Sequence, residues 1–283
     1  MWAIRRIHTM KQAFSEPVQS VILDLVPLIR QLFAGPYAIA VAGSVGKKKD
    51  DSFSDIDLRA YYDAWIDDES LLSELKQEID GKIAGWAMKG VLIDGYWPRQ
   101  IETIDTRLKS ILSGANIDPD PCIWTIGGYY LPTDIINNTI IEDPYRILAN
   151  WQDQLRAYPC EYKKAVIKKY LASAEYWQND YHYQSKVLRK DIVFCSGIAY
   201  LLVHDLIQIV FALNNAYYSG DGWNLNYIRS FTTAPQGFAS EIEKVLLIGD
   251  ANDYARQRET LCRLIDQVKQ LVHKQSSQQD QHE

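Results

Sequence analysis

From residue 18 onward the chain carries an apolar repeat of helical spacing. Val18, Val21, Ile22, Leu25, Val26, Ile29, Leu32 and Phe33 recur every three or four positions, which places them on one face of a helix. Ser15-Glu16-Pro17 supplies a cap, an acidic first turn and a proline where a helix start tolerates one, and Gly35 closes the run. The pattern then shortens. Residues 37–42 are apolar and end at Gly43-Ser44, KKKDDSFS reads as a polar loop, and residues 55–62 form a second strand-like run. Asp67, Asp68 and Glu69 introduce a helix carried by Leu71, Leu72, Leu75, Ile79 and Ile83, its acidic first turn complementing the helix dipole. Strands are predicted at 91–97 and 100–104 on either side of Pro98, a helix at 106–112 and a last strand at 139–142, ahead of Asp143-Pro144.

After Tyr145 helical periodicities follow one another at 145–157, 161–180, 186–218, 238–248 and 251–273, so a domain boundary is placed near 150, giving domains 1–150 and 151–283. The apolar stretch 198–213 is interrupted by His204, Asp205 and Gln208. A bilayer crossing needs about 18 or more uninterrupted apolar residues, so this stretch reads as a buried helix of a bundle. The tail QSSQQDQHE has no periodicity and is expected to fray.

Composition narrows the function classes. With 47% hydrophobic and 23% charged residues, the 283-residue chain has the make-up of an ordinary globular protein. The formal net charge is -6, and the acidic excess lies wholly before residue 150, with 15 basic and 21 acidic residues there against 15 of each after it. A surface basic enough to coat nucleic acid is thereby disfavoured, though a local basic groove is not. Four cysteines form no CxxC pair, which fits a reducing, cytoplasmic compartment and neither a disulfide framework nor a zinc site. The opening MWAIRRIHTMKQAF lacks the apolar core of a secretory signal. No membrane partner is expected.

The segment with the most chemistry is Gly43-Ser44-Val45-Gly46 followed by Asp55-Ile56-Asp57. On a strand, Asp55 and Asp57 project from one side while Ile56 and Leu58 turn to the core. Two carboxylates so close repel unless a cation lies between them. Mg2+ suits such a pair, because it takes hard oxygen ligands and completes its shell with water and phosphate oxygens. The glycine turn offers phosphate its backbone N–H groups, a hydroxyl and close approach.

On these residues the chain resembles the nucleotidyltransferase superfamily of DNA polymerase β-like fold, whose signature is Gly-Ser, a spacer of this length and Asp-x-Asp. It is most similar to the small-molecule branch of aminoglycoside and lincosamide nucleotidyltransferases with an added helical domain. The resemblance spans about residues 18–145, and its specific motif only residues 43–57. It implies an α+β architecture: a mixed sheet with flanking helices, then an α-helical, substrate-binding bundle. It also implies that Gly43 and Ser44 bind a nucleoside triphosphate and that Asp55 and Asp57 bind metal, two Mg2+ ions being expected. Family members add a third carboxylate that holds metal or acts as general base. Glu102, central in residues 100–104, is the candidate, with Asp94 in reserve and Asp105 read as a helix cap.

The activity implied is Mg-dependent transfer of a nucleoside monophosphate, AMP from ATP, to a hydroxyl of a small acceptor. The acidic first domain suits a cationic acceptor such as an aminoglycoside, and the active site is expected in the cleft between domains. Oligomeric state is left open. Two rivals stand beside this reading: transfer to RNA or protein, as in toxin or antitoxin members, and a nucleotide-binding regulatory module without turnover.

Lesser signals are weaker. A P-loop is excluded because Val41 and Lys48 occupy positions that motif reserves for Gly and for Ser or Thr. Lys47 remains a candidate nucleotide contact, as do Arg189 and Lys190 beside the long helix, where related proteins close over the nucleotide or acceptor. Lys163, Lys164, Lys168 and Lys169 share a helix side and read as a solvated face before an RNA track. His182 and His204 lack metal-ligand spacing, and Tyr217, Tyr218 and Trp223 are candidates to stack on a base or acceptor ring.

Overall fold

The structure, a computed structural model, describes residues 14–220 and 222–279. Residues 1–13 of the opening stretch, and residues 280–283 of the tail, lie outside the described residues. The chain divides into two compact units. One runs up to Lys109 and takes in Asp134–Ala157; the other comprises Ser110–Thr133 and the chain from Tyr158 onward.

In the first unit the amphipathic repeat folds as helix α1 (Glu16–Ile29), with Val18, Val21, Ile22, Leu25, Val26 and Ile29 buried. Strand β1 (Phe33–Val41) is flanked on one side by β2 (Ile56–Trp65) and on the other by β5 (Thr139–Glu142), both antiparallel. The last four residues of β1 are all buried, which is the mark of a strand covered on both faces. Two short strands, β3 (Ile93–Gly95) and β4 (Pro98–Gln100), pair with β2 in parallel, at Ile56-Asp57 and at Ala60–Tyr62 respectively. The result is a mixed sheet of order β3-β2-β1-β5, with β4 also on β2. Helix α2 (Glu69–Ala87) is capped by Asp68, whose carboxylate accepts from Leu71 N–H. It is stapled to α1 by Asp24, which accepts from Lys82 Nζ at 2.6 Å and Trp86 Nε1 at 3.0 Å.

The strand predicted at 100–104 is a helix. Strand β4 stops at Gln100 and α3 (Ile101–Leu112) begins at once. Ile104, Leu108 and Ile111 are buried at spacings of four and three, so the helical period that runs on to Leu112 overrides a local alternation of five residues. Helix α4 (Leu131–Asn137) leads into β5, and α5 (Ile147–Arg156) follows. Its first N–H groups are accepted by Asp143, from Ile147 at 2.7 Å and Ala149 at 2.8 Å. Trp151 packs edge-on against Tyr61 of β2, and Gln152 Nε2 donates to the carbonyls of Ile135 and Asn138. This first helix of the helix-rich half thus belongs with the sheet. The boundary placed near 150 moves to 157–158, and residues 110–133 join the second unit.

The second unit is helical: α6 (Cys160–Asn179), α7 (Tyr181–Leu188), α8 (Ile192–Leu213), α9 (Asn224–Ile228), α10 (Phe238–Leu246) and α11 (Tyr254–Gln279). The single helix predicted over 186–218 is two. Lys190 takes a left-handed φ of 57° and Asp191 caps α8 by accepting from Phe194 N–H at 3.2 Å. Among the described residues, α8 alone is long and apolar enough to cross a membrane by length and composition. Its residues from Leu202 on, apart from the part-buried His204, are buried, Asp205 and Gln208 included. The tail expected to fray is helical as far as it is described, and Gln275 Nε2 donates to Leu213 O at 2.8 Å.

Candidate functional site: a carboxylate cluster at the glycine turn

Strand β1 ends in a one-turn helix, Gly43–Gly46, that brings its backbone against β2. Ala42 N–H donates to Asp57 O at 2.9 Å, and Gly46 N–H closes the turn on Ala42 O at 2.7 Å. Gly43 sits at φ 60°, and a Cβ placed on it would lie 1.9 Å from Asp57 Oδ2. Only glycine leaves room for the carboxylate, and only glycine takes that φ without penalty. The turn and the aspartate are thereby fixed as one object. Gly46 is similarly confined, its hypothetical Cβ 2.5 Å from Val41 O.

Asp57 is largely buried, and burial holds its carboxyl above the usual range near 3.8; Arg59 works against this, while the charges of Asp55 and Asp94 add to it. Asp94 reaches the cluster through an irregularity in the sheet. Ile56 pairs with Ile93, but Asp57 pairs with Gly95, so Asp94 is the extra residue of a bulge. Bulges re-aim side chains and are over-represented beside active sites. Trp97 Nε1 donates to Asp94 Oδ2 at 3.1 Å and steadies it.

Beyond Asp57 on the same strand, Arg59 Nη1 lies 3.3 Å from Asp57 Oδ1, and its Nε lies 3.3 Å from Asp134 Oδ2 on α4. Arg99 Nη1 of β4 lies 3.8 Å from the same Asp134 oxygen. The side chains of Asp57, Arg59 and Asp134 are 16%, 11% and 10% exposed, so this ion-pair chain is shielded from water.

The sequence-predicted residues separate accordingly. Gly43, Ser44, Asp55, Asp57 and Asp94 come together. Glu102 does not occupy a strand; it is an exposed residue in the first turn of α3. Asp105 lies inside α3 rather than capping it, accepting from Trp151 Nε1 at 3.2 Å and Lys109 Nζ at 2.6 Å. Lys47 caps the glycine turn's far end. Arg189 and Lys190 belong to the second unit, where they close α7 and Lys190 bonds Asn252 Oδ1. Of the predicted lysine face, Lys163 is bonded to Asn215, Lys164 to Glu161 and Lys169 to Asp118. Tyr217 packs against Tyr158 and Tyr162, Tyr218 is buried against Tyr130 and His204, and Trp223 is exposed. His204 Nε2 lies 3.1 Å from Tyr130 OH, a structural contact. Sequence reading missed Arg59, Arg99 and Asp134. Arg59 was in view by alternation, two residues beyond Asp57 on one strand, whereas Asp134 is brought in only by folding.

Among the described residues no group of three or more His, Cys, Asp or Glu is arranged to hold a metal ion by itself. Asp57 is crowded against the glycine turn, and the charges of Asp55 and Asp94 act on it.

The family described as Domain of unknown function (DUF4037) matches residues 131–224, less than half of the chain. The match begins at α4, which carries Asp134, and ends at the start of α9. No curated protein matches the chain.

Proposed function

We propose that this protein is a metal-dependent nucleotidyltransferase that moves a nucleoside monophosphate from a triphosphate, ATP by preference, to a hydroxyl of a small acceptor. The observation that carries the reading is the interlock of Gly43 with Asp57, with a hypothetical Cβ 1.9 Å from Oδ2. A glycine turn set directly on a carboxylate supports a reading in which the turn's backbone meets a polyphosphate beside a cation held by Asp55 and Asp57.

Asp55 and Asp57 would hold Mg2+, Gly43 and Ser44 would bind the triphosphate, and Asp94 takes the third-carboxylate role in preference to Glu102. The bound ion would supply charge stabilisation at the phosphorus and for the departing pyrophosphate. Asp94 would accept the proton of the attacking hydroxyl as it bonds to the α-phosphorus and the bond to pyrophosphate breaks. The internal pairing of Lys163, Lys164 and Lys169 favours a small acceptor over an RNA track.

The test is a thermal-shift titration of the full chain with each nucleoside triphosphate, with and without Mg2+, on wild type and Asp57→Asn. A ligand bound only by the folded state stabilises it by about 2.7 kcal/mol at a hundredfold excess over Kd. The expected result is a Mg-dependent shift for one preferred triphosphate that Asp57→Asn abolishes. A shift of equal size in the variant would overturn the assignment.

A further inference from the structure

Within the second unit, the end of α10, the two residues after it and the start of α11 line a cavity of about 500 Å3, a size that suits a small molecule. Its apolar lining comes from Val245, Leu247 and Ile248. Val245 is buried and Leu247 is 81% exposed, so the apolar surface runs from the mouth inward. The charged side chains that reach the cavity are engaged outside it. Glu243 pairs with Arg229, Lys244 with Glu241 at 2.8 Å and Arg256 with Asp253 at 2.9 Å, and none of those three partners lines the cavity. The lining therefore selects for no net charge.

The polar group that distinguishes the cavity is Gln257. It lines the cavity, is 5% exposed, and donates from Nε2 to Val245 O at 2.7 Å. That bond fixes the amide, because turning it over would set Oε1 against the Val245 carbonyl, two acceptors in contact. Oε1 is buried and has no hydrogen-bond partner among the described residues. Nearly all buried polar atoms are hydrogen-bonded, and one left unpaired carries the cost of its desolvation. Tying α11 to α10 uses only the N–H of this amide; its carbonyl is left to accept from something else. The Ser240 and Thr260 hydroxyls in the lining can donate or accept, so Oε1 is the group that demands a donor.

We propose that this cavity binds an uncharged small molecule with a compact apolar body and an N–H or O–H group, which donates to Gln257 Oε1 while the body lies against Val245, Leu247 and Ile248. The site belongs wholly to the helical unit. It does not rest on the reading of Asp55 and Asp57, so either can fail without the other.

The experiment is a titration of the full chain followed by amide proton–nitrogen nuclear magnetic resonance, with two matched pairs of probes: indole with benzofuran, and phenol with anisole. Each pair keeps the ring and removes the donor. Indole and phenol are expected to shift the backbone amides of Leu247 and Ile248 and the side-chain amide of Gln257. They are expected to bind about tenfold tighter than benzofuran and anisole, the worth of one hydrogen bond to a buried acceptor. In Gln257→Leu, which keeps the bulk and loses the acceptor, the members of each pair are expected to bind alike within about twofold. Equal binding within each pair by wild type, as when Oε1 merely takes up a water, overturns the proposal. So does a donor preference that survives Gln257→Leu, or no shift at these amides with indole or phenol up to their solubility. Should Gln257→Leu not fold, Thr260→Phe decides. Residue 260 lies three positions from 257 and so on the same face of α11, and a phenyl ring there is expected to fill the cavity and abolish the indole shifts. Indole binding unchanged in that variant overturns the proposal.

Discussion

At the residue scale, the fold disfavours the ionised form of Asp57. Burial, then the charges of Asp55 and Asp94, raise its carboxyl above the ordinary value of 3.8, and Arg59 offsets this only in part. A carboxylate whose folded pKa lies above its unfolded one stabilises the fold fully below the unfolded value, and that contribution is lost as pH rises through the folded pKa. As pH rises through the folded pKa, ionisation of Asp57 therefore counts against stability. The expected outcome is that Asp57→Asn melts above wild type at pH 7 without added cation, and that the gap narrows as pH falls toward 4. Calorimetry across that range checks it, and parallel pH profiles for the two proteins would refute it. A site residue whose removal stabilises the protein is the signature of a position kept for function.

At the element scale, the glycine turn and the paired strands behind it were legible because each rests on a local rule: an apolar run, a glycine where φ is positive, and alternation along β2. The helical setting of Glu102 was not legible. Residues 100–104 alternate like a strand, yet Ile104, Leu108 and Ile111 impose a helical period that begins before the alternation ends. Asp94 in turn owes its place to a bulge on β3, and no sequence pattern announces a one-residue slip of register. The break between α7 and α8 was missed for a related reason, since it depends on Lys190 adopting a positive φ and on Asp191 acting as a cap inside a long apolar period. The consequence is measurable as triphosphate affinity in the presence of Mn2+. Asp94→Asn is expected to weaken it roughly tenfold to a hundredfold, the range seen when groups that orient a metal site are lost, and Glu102→Gln to leave it within about twofold. The reverse ranking would return the role to Glu102.

At the scale of the whole molecule, the chain joins an α+β unit built on a mixed sheet to a helical unit organised around α8. The change to helix-rich sequence after Tyr145 does not mark the junction, because α5 is tied to the sheet by Trp151 and Gln152. The region matched to the family of unknown function also ignores that junction: it contributes Asp134, the ion-pair partner of Arg59, and continues through α8. Its matched stretch thus carries part of the candidate site together with the core helix of the second unit. We propose that a divalent cation and a triphosphate meet at Asp55 and Asp57. The decisive experiment is anomalous diffraction from crystals of the full chain grown with Mn2+ and a non-hydrolysable nucleoside triphosphate. A manganese peak between the Asp55 and Asp57 carboxylates, with phosphate density over Gly43-Ser44, is the expected result; a peak elsewhere, or a triphosphate bound away from that turn, would contradict it.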